Sequence, residues 1–174
     1  MSNLKKINSD TFCLEKTDVV LEGVFEKITP SQNTFIDEEN VLAAVDRYKK
    51  EFVETGEALG CLNDGFLTMP IMVEHGGENV EAEQIVEEEK DPAFMVLDIW
   101  WNRDIKSICG AIVILDTIDG LKIKNAIAQG VGCFISATQT ETYATMDEGN
   151  GRMYYRISNI NGYKISMFDF HNRT

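Results

Sequence analysis

The chain has 174 residues, of which 44% are hydrophobic and 26% are charged, a balance typical of one globular domain. Its 29 acidic and 16 basic residues give a net charge of −13, so the surface repels phosphates and we expect no nucleic-acid partner. No apolar run is long enough for a membrane span, and the first ten residues lack a secretory signal. We therefore expect a cytoplasmic protein without a membrane partner.

Cysteine and histidine content bears on metal and redox chemistry. The chain has four widely spaced cysteines and two histidines, and no two cysteines form a CxxC pair. Such spacing is typical of reduced thiols rather than of a zinc site. No glycine-rich phosphate-binding pattern occurs either. We expect no metal, no cofactor, and free thiols at Cys13, Cys61, Cys109 and Cys133.

The N-terminal half predicts a strand followed by a helix. The stretch "TDVVLEGVFEKIT" (17–29) is rich in β-branched and aromatic residues, which favours a strand. A helix is predicted after Asp37, which can cap its start, and Gly56 can close its end. Its apolar stripe repeats at helical spacing and consists of Val41, Val45, Tyr48 and Phe52.

An acidic insertion interrupts the chain at about residues 65–92. This stretch holds two of the three prolines, a Gly-Gly pair and the block "ENVEAEQIVEEEKD" (78–91). Blocks of like charge usually form solvated loops. We see no repeat or linker and interpret residues 1–174 as a single domain that carries this acidic loop.

The C-terminal half predicts a strand pair, a short helix and three further strands. Leu121, Ile127 and Ala128 form the predicted apolar face of the helix, and Asn161-Gly162 is a strong hairpin signal between the last two strands. The predicted strands span 93–102, 107–117, 131–144, 152–160 and 163–170, and the helix spans 120–130. The fold class is therefore β-rich α+β (mixed α/β), a bent β-barrel or curved sheet with one long and one short flanking helix.

Several segments resemble, in chain order, the prohead maturation proteases of myovirus-type tailed phages. These serine peptidases share a fold with herpesvirus assemblin, so the resemblance implies an assemblin-like bent barrel with flanking helices. It covers about residues 17–170. The segments are "LEGVFEKI", "SQNTFIDEENVLAAVDRYKKEF", "ALGCLNDG", "MVLDIWWNRDIKSICGAIVIL", "GLKIKNAIAQGVGCFISA" and "RISNINGYKISMFDF".

The resemblance also implies positions for a catalytic pair, and one of them is changed. Ser136 falls at the family's nucleophile position, but Asp64 stands where the family has its base histidine and Gly65 where it has proline. An ordinary aspartate has a pKa near 4 and is a weak base at neutral pH. The family's Ser-Arg-Gly continuation, which shapes the oxyanion site, reads Ala137-Thr138-Gln139 here.

Other residues are candidates for a replacement base or for an acid that orients one. His75, inside the insertion, is the candidate relocated base, although an exposed loop histidine is the simpler interpretation. His171 is expected at the surface. Asp98 and Asp116 are expected at strand ends and could orient a base, although acids there more often form turns or are solvated, because their side chains satisfy local backbone donors.

Three functional hypotheses remain open. The first is a catalytically degenerate prohead-protease homologue, a pseudoenzyme that serves as a structural or assembly component of a phage head or tail. The second is an active serine endopeptidase that matures phage head proteins with Ser136 and His75. The third is an unrelated β-rich binding domain, in which "GCLNDG" lies far from Ser136. Under the first two, the expected partners are capsid, portal, scaffold or tail proteins or a second copy, in the host cytoplasm during assembly or in the virion.

Overall fold

Ten strands and two α-helices make up the residues that the computed structural model describes, which are 13–17, 20–63 and 91–168. The strands are β1 (Glu15–Thr17), β2 (Val20–Lys27), β3 (Thr34–Ile36), β4 (Leu59–Leu62), β5 (Phe94–Asn102), β6 (Ser107–Ile114), β7 (Gly132–Ala137), β8 (Thr140–Met146), β9 (Met153–Ile160) and β10 (Tyr163–Phe168). The helices are α1 (Glu38–Tyr48), which continues as a π-helical segment (Lys49–Val53), and α2 (Ile118–Ala128).

Seven of these strands form a mixed sheet that curls into a nearly closed barrel. Their order is β1-β2-β6-β5-β4-β10-β7, and every pairing is antiparallel except β4 with β10. The two ends of the sheet approach each other, because the Leu14 amide donates to the Cys133 carbonyl at 2.9 Å. The remaining strands form a second sheet in the order β3-β9-β8. The predicted β-rich barrel with flanking helices is confirmed.

Helix α1 is built as its sequence predicts. The Asp37 side chain accepts a hydrogen bond from the Asn40 amide, which caps the first turn, and Glu38 and Glu39 favour the positive end of the helix dipole. The buried stripe faces the core and contains Val41, Ala44, Val45 and Tyr48. After the π-helical segment, Gly56 adopts a φ of 74°, a left-handed conformation that glycine allows.

The second helix packs through a face that matches the prediction only in part, because Ile127 packs against the core as predicted. Leu121 is 46% exposed and Ala128 is also exposed, whereas Gly120 and Ile123 are buried. A Cβ atom at Gly120 would lie 1.9 Å from the Leu115 carbonyl oxygen. Only a glycine permits this approach, and Gly120 and Ile123 face the barrel. The predicted apolar face was therefore wrong for Leu121 and Ala128 but correct for Ile127.

The predicted hairpin at Asn161-Gly162 is also wrong, because β9 and β10 lie in different sheets. The turn that reverses the chain lies between β8 and β9, where the Asp147 amide donates to the Arg152 carbonyl at 2.8 Å. β7 pairs with β10 and β8 pairs with β9. These two pairings continue one another and form one long antiparallel ladder, called the bent ladder below, that belongs to both sheets. The chain bends in this ladder at Gly162, which has a φ of 141°. The single predicted strand 131–144 is bent at the same level, between β7 and β8.

The core of the barrel is aliphatic, with aromatic rings where the helix packs on it. Fully buried side chains come from β5, β6, β9, β10 and both helices and include Phe94, Ile99, Ile108, Ile112, Ile123, Ile157, Ile165 and Val41. Trp100 and Trp101 lie on opposite faces of β5, as the strand period requires, and pack against different apolar clusters. None of the helices in the described ranges is long and apolar enough to cross a membrane.

Gly110 is one of the positions at which the barrel leaves no room for a side chain. It pairs with Ile99, and a Cβ atom there would lie 2.4 Å from the Phe25 ring and 2.7 Å from the Asp98 carbonyl oxygen. We predict that Gly110→Ala lowers the free energy of unfolding by about 1–3 kcal/mol, because the overpacked core must shift. Urea unfolding followed by circular dichroism measures the change.

The matched control is Gly149→Ala in the exposed β8–β9 turn, where the nearest atom to an added Cβ is the Asp147 carboxylate at 3.2 Å. This variant should unfold within about 0.5 kcal/mol of the wild type. Equal stability of the Gly110→Ala and Gly149→Ala proteins would contradict the packing described for β5, β6 and Phe25.

Candidate active site

Ser136 belongs to a row of three side chains that crosses three neighbouring strands. Lys164 on β10 is the register partner of Ser136 on β7 and of Cys61 on β4. Neighbouring strands lie about 4.8 Å apart, so Ser136 and Cys61 are separated by about 10 Å at their backbones. We call these three residues the Ser136 row. It brings together the two segments to which the sequence resemblance assigns the base and the nucleophile.

The Ser136 row faces away from the barrel core. The residues that alternate with it, Ile135, Ile165 and Leu62, are each at most 4% exposed and belong to the main core cluster. Because successive side chains of a strand point to opposite faces, Ser136, Lys164 and Cys61 lie on the outer face. All three are half-buried. Phe134 and Ser166 lie on the same face and are buried, so this face is only partly open to solvent.

Asn63 anchors the end of the segment that resembles the family's base motif. Its amide donates to the Ile165 carbonyl at 2.7 Å, and its side-chain Nδ2 donates to the Ser166 hydroxyl at 3.2 Å. Ser166 is 1% exposed although it lies on the outer face next to Lys164. The chain is thus fixed on β10 up to Asn63, one residue before the position that the family gives to its histidine.

Asp64 itself, together with Gly65, His75 and His171, lies outside the described residues. The assignment of Asp64 to the family's histidine position and of His75 as a relocated base therefore stays a prediction. Residues 78–90 of the acidic block lie outside the described residues as well.

No described group activates the Ser136 hydroxyl. Within residues 13–17, 20–63 and 91–168 it makes no hydrogen bond, and its register neighbour Lys164 carries an ammonium group, which donates protons but accepts none. A serine nucleophile needs a base in hydrogen-bond contact. The described residues therefore supply no base to Ser136, the predicted nucleophile.

The backbone after Ser136 is hydrogen-bonded within the bent ladder. The Thr138 amide donates to the Gly162 carbonyl at 2.9 Å, and Asn161 donates to the Gln139 carbonyl at 3.3 Å. An oxyanion site needs N–H groups that are free to face the substrate. Because the Thr138 N–H already has a partner, it is not available for this role.

The two aspartates considered as orienting acids are engaged elsewhere. Asp98 forms an ion pair with Lys49 at 3.0 Å and accepts a hydrogen bond from the Ile99 amide. Asp116 pairs with Lys124 of α2. Asp116 follows the end of β6, as predicted, whereas Asp98 lies in the middle of β5, so the prediction that Asp98 stands at a strand end was wrong.

Sequence reasoning missed Lys164 and Ser166, which complete the outer face of β10. A signal for them exists in "YKISMF" (163–168), where polar Lys164 and Ser166 alternate with apolar residues. The alternation identifies an outer face on this strand. It cannot show that β10 lies between β4 and β7, because strand order depends on contacts distant in sequence.

The inner side of β10 carries a buried polar group. Tyr163 packs against Phe25 with ring centroids 5.0 Å apart and against Tyr48 at 5.8 Å, edge to face. Its hydroxyl has no hydrogen-bond partner among the described atoms, and burial raises its pKa well above the ordinary value. Nearby, Glu26 accepts a hydrogen bond from the Thr140 hydroxyl at 3.0 Å, and burial raises the pKa of this carboxyl as well.

Comparisons with known proteins found similarity among solved structures alone. No protein-family model matches the chain, and no curated protein matches it. Among solved structures, the chain is similar to the capsid assembly protease of bacteriophage T4, with 19% sequence identity and a TM-score of 0.49. The similarity covers 84% of this chain and 80% of that protein.

Glu26 gives the protein a predictable pH dependence. Burial raises the pKa of the Glu26 carboxyl, so the native state binds the proton of this carboxyl more tightly than the unfolded chain does. The stabilising effect of that proton is complete below the ordinary value of 4.5 and is lost as the pH rises through the raised pKa. Glu26→Gln should therefore unfold at a higher temperature than the wild type at pH 7, and the gap should close near pH 4.

Thermal unfolding followed by circular dichroism between pH 4 and pH 8 measures this dependence. Glu148→Gln in the exposed β8–β9 turn removes the same charge without removing a buried carboxyl. An identical pH response of the two variants would show that the effect comes from net charge rather than from burial of Glu26.

Proposed function

We propose that the chain is a catalytically degenerate homologue of the prohead maturation proteases that acts as a structural or assembly component of a tailed-phage particle. The observation that carries the proposal is the Ser136 row. A serine at the nucleophile position lies two strands from the segment that resembles the base motif, on one outer face, and no described group activates it.

The arrangement of the resembling segments supports common ancestry with that family. "LEGVFEKI" contains most of β2, the helical segment forms α1, and the paired segment with Trp100 and Trp101 forms β5 and β6. The segments assigned to the base and the nucleophile flank β10 on its two sides. An unrelated β-rich domain, the third hypothesis, requires "GCLNDG" to lie far from Ser136, and its described part, residues 60–63, does not.

Two independent features favour loss of catalysis over an active protease. The base position holds Asp64 in the sequence, and an aspartate cannot return a proton to a leaving amine as an imidazolium does. In addition, the Thr138 N–H is bonded within the ladder. Loss of one triad member costs on the order of 10⁴-fold in rate.

The alternative is an active serine endopeptidase in which His75 replaces the lost base. What favours it is the retained Ser136 hydroxyl, half-buried and without a hydrogen bond among the described residues. The family cuts after glutamate in an apolar-x-Glu context, and Ile85-Val86-Glu87 is such a sequence in the acidic insertion. An active enzyme would therefore nick itself after Glu87.

A fluorophosphonate probe and intact-mass analysis distinguish the two hypotheses. We expect the wild type and Ser136→Ala to label equally weakly, and both chains to stay intact through prolonged incubation, because no base activates the serine. Labelling or cleavage after Glu87 that disappears in Ser136→Ala would establish the active protease, and loss of that signal in His75→Ala would identify its base.

A genetic test addresses the assembly role itself. In the phage that this proposal implies, Ser136→Ala should give particles at the normal yield, whereas a stop codon early in the gene should lower the yield of complete particles. Normal yield from the stop-codon phage would rule out the structural role. A low yield from both variants would favour the active protease. Expected partners are capsid, portal, scaffold or tail proteins, met in the host cytoplasm during assembly or in the virion.

A further inference from the structure

A cleft of about 270 Å³ lies apart from the Ser136 row, between β3, the start of α1 and the turn that joins β5 to β6. Its floor and walls combine apolar and charged groups. The lining residues are Pro30, Thr34, Phe35, Ile36, Glu38, Trp101, Arg103 and Lys106. The volume is at the small end for ligand pockets and suits a few side chains better than a large cofactor.

The cleft runs along the edge of a strand. Thr34, Phe35 and Ile36 are consecutive residues of β3, and their side chains alternate between the two faces of the sheet. A cleft that all three line must therefore follow the strand's edge rather than cover one face. β3 pairs with β9 and is the end strand of its sheet in the described part of the chain. The Thr34 amide already donates to the Ser31 carbonyl at 3.0 Å, and the rest of this edge can accept an added strand.

Positive charge collects around this edge although the chain as a whole is acidic. Arg103 and Lys106 line the cleft, and Arg152 lies over the Phe35 ring with its guanidinium carbon 4.9 Å from the centroid. Phe35 is 47% exposed, so a ligand can contact the ring and the cations together. These are three of the 16 basic residues in a chain of net charge −13.

The cleft carries more positive than negative charge, because its lining has two cations, Arg103 and Lys106, and one carboxylate, Glu38. Glu38 accepts hydrogen bonds from Trp101 Nε1 at 3.3 Å and from Arg103 at 3.1 Å. This carboxylate offsets the charge of Arg103 and leaves that of Lys106. Lys106 has a φ of 50°, and its carbonyl accepts the Ile28 amide at 3.0 Å, which fixes its backbone. Lys106 forms no ion pair with a described residue, and its ammonium group can meet an incoming carboxylate.

We propose that this cleft binds a short, extended, acidic peptide segment of another protein, which adds to β3 as a further strand and places carboxylates on Arg103 and Lys106. Backbone hydrogen bonds along β3 supply affinity, and the cations select the charge. At physiological salt the Debye length is about 8 Å, so the peptide senses these nearby cations more than the distant acidic surface. The proposal does not depend on whether Ser136 is active.

A fluorescent hexapeptide of alternating valine and glutamate serves as the probe, with fluorescence anisotropy as the readout at roughly 0.15 M salt. We expect saturable binding, with shifts of the Thr34 to Ile36 amide resonances in a nitrogen-15 NMR spectrum. The double variant Arg103→Gln/Lys106→Asn should weaken binding by at least about tenfold. Asparagine is chosen because it tolerates the left-handed conformation at position 106.

Two matched controls separate strand addition from general charge effects. Lys50→Gln/Lys122→Gln removes two exposed cations that pair with Asp46 and Asp119 on the helices, and it should leave binding unchanged. A probe methylated on alternate backbone nitrogens keeps its charge but cannot add to a strand, and it should bind at least about tenfold more weakly.

Four results would overturn the proposal. They are the absence of saturable binding up to about 1 mM probe, equal weakening by the two double variants, equal binding of the methylated probe, and a dimer that disappears in Arg103→Gln/Lys106→Asn. The last result would make a second copy of the chain the occupant of the cleft.

Discussion

The pairing of β10 with two different strands is the constraint on which the site depends. Among the described strands, β10 alone pairs with both β4 and β7. The parallel pairing on one side and the antiparallel pairing on the other bring Cys61 and Ser136 into register. A slip of one residue would exchange the outer and inner side chains of β10. The buried Tyr163 and Ile165 oppose such a slip, because it would expose them and bury Lys164.

The bent ladder connects the part of the molecule that carries the Ser136 row with the part that carries the cleft. The pair β7–β10 belongs to the barrel and carries the Ser136 row. The pair β8–β9 belongs to the second sheet, in which β9 also pairs with β3 beside the cleft. Helix α1 packs on β9, where Asn40 accepts a hydrogen bond from the Ile157 amide and Arg47 donates to the Ser158 carbonyl. Because the Ser136 row and the strand β3 that lines the cleft lie in different sheets, a substitution in one need not disturb the other.

The barrel and its chemistry depend on different residues. The barrel requires apolar side chains on the inner faces and glycines where backbones approach closely, such as Gly110 against Phe25 and Gly120 against Leu115. Catalysis requires a few polar groups at the ends of strands. A chain can therefore keep the first set while it loses a base, and this is the pattern proposed here for Ser136 and Asp64.

Local sequence patterns determined the element types and the β-rich class. The cap at Asp37, the stripe through Val41 and Tyr48 and the β-branched runs of β2, β5 and β6 are short-range signals, and each formed the element predicted. Only the tertiary structure decided which strands pair, that Asn161-Gly162 is a bend, that α2 packs through Gly120, and that Lys164 lies beside Ser136. These features depend on backbone approach between segments far apart in the chain, which no local pattern encodes.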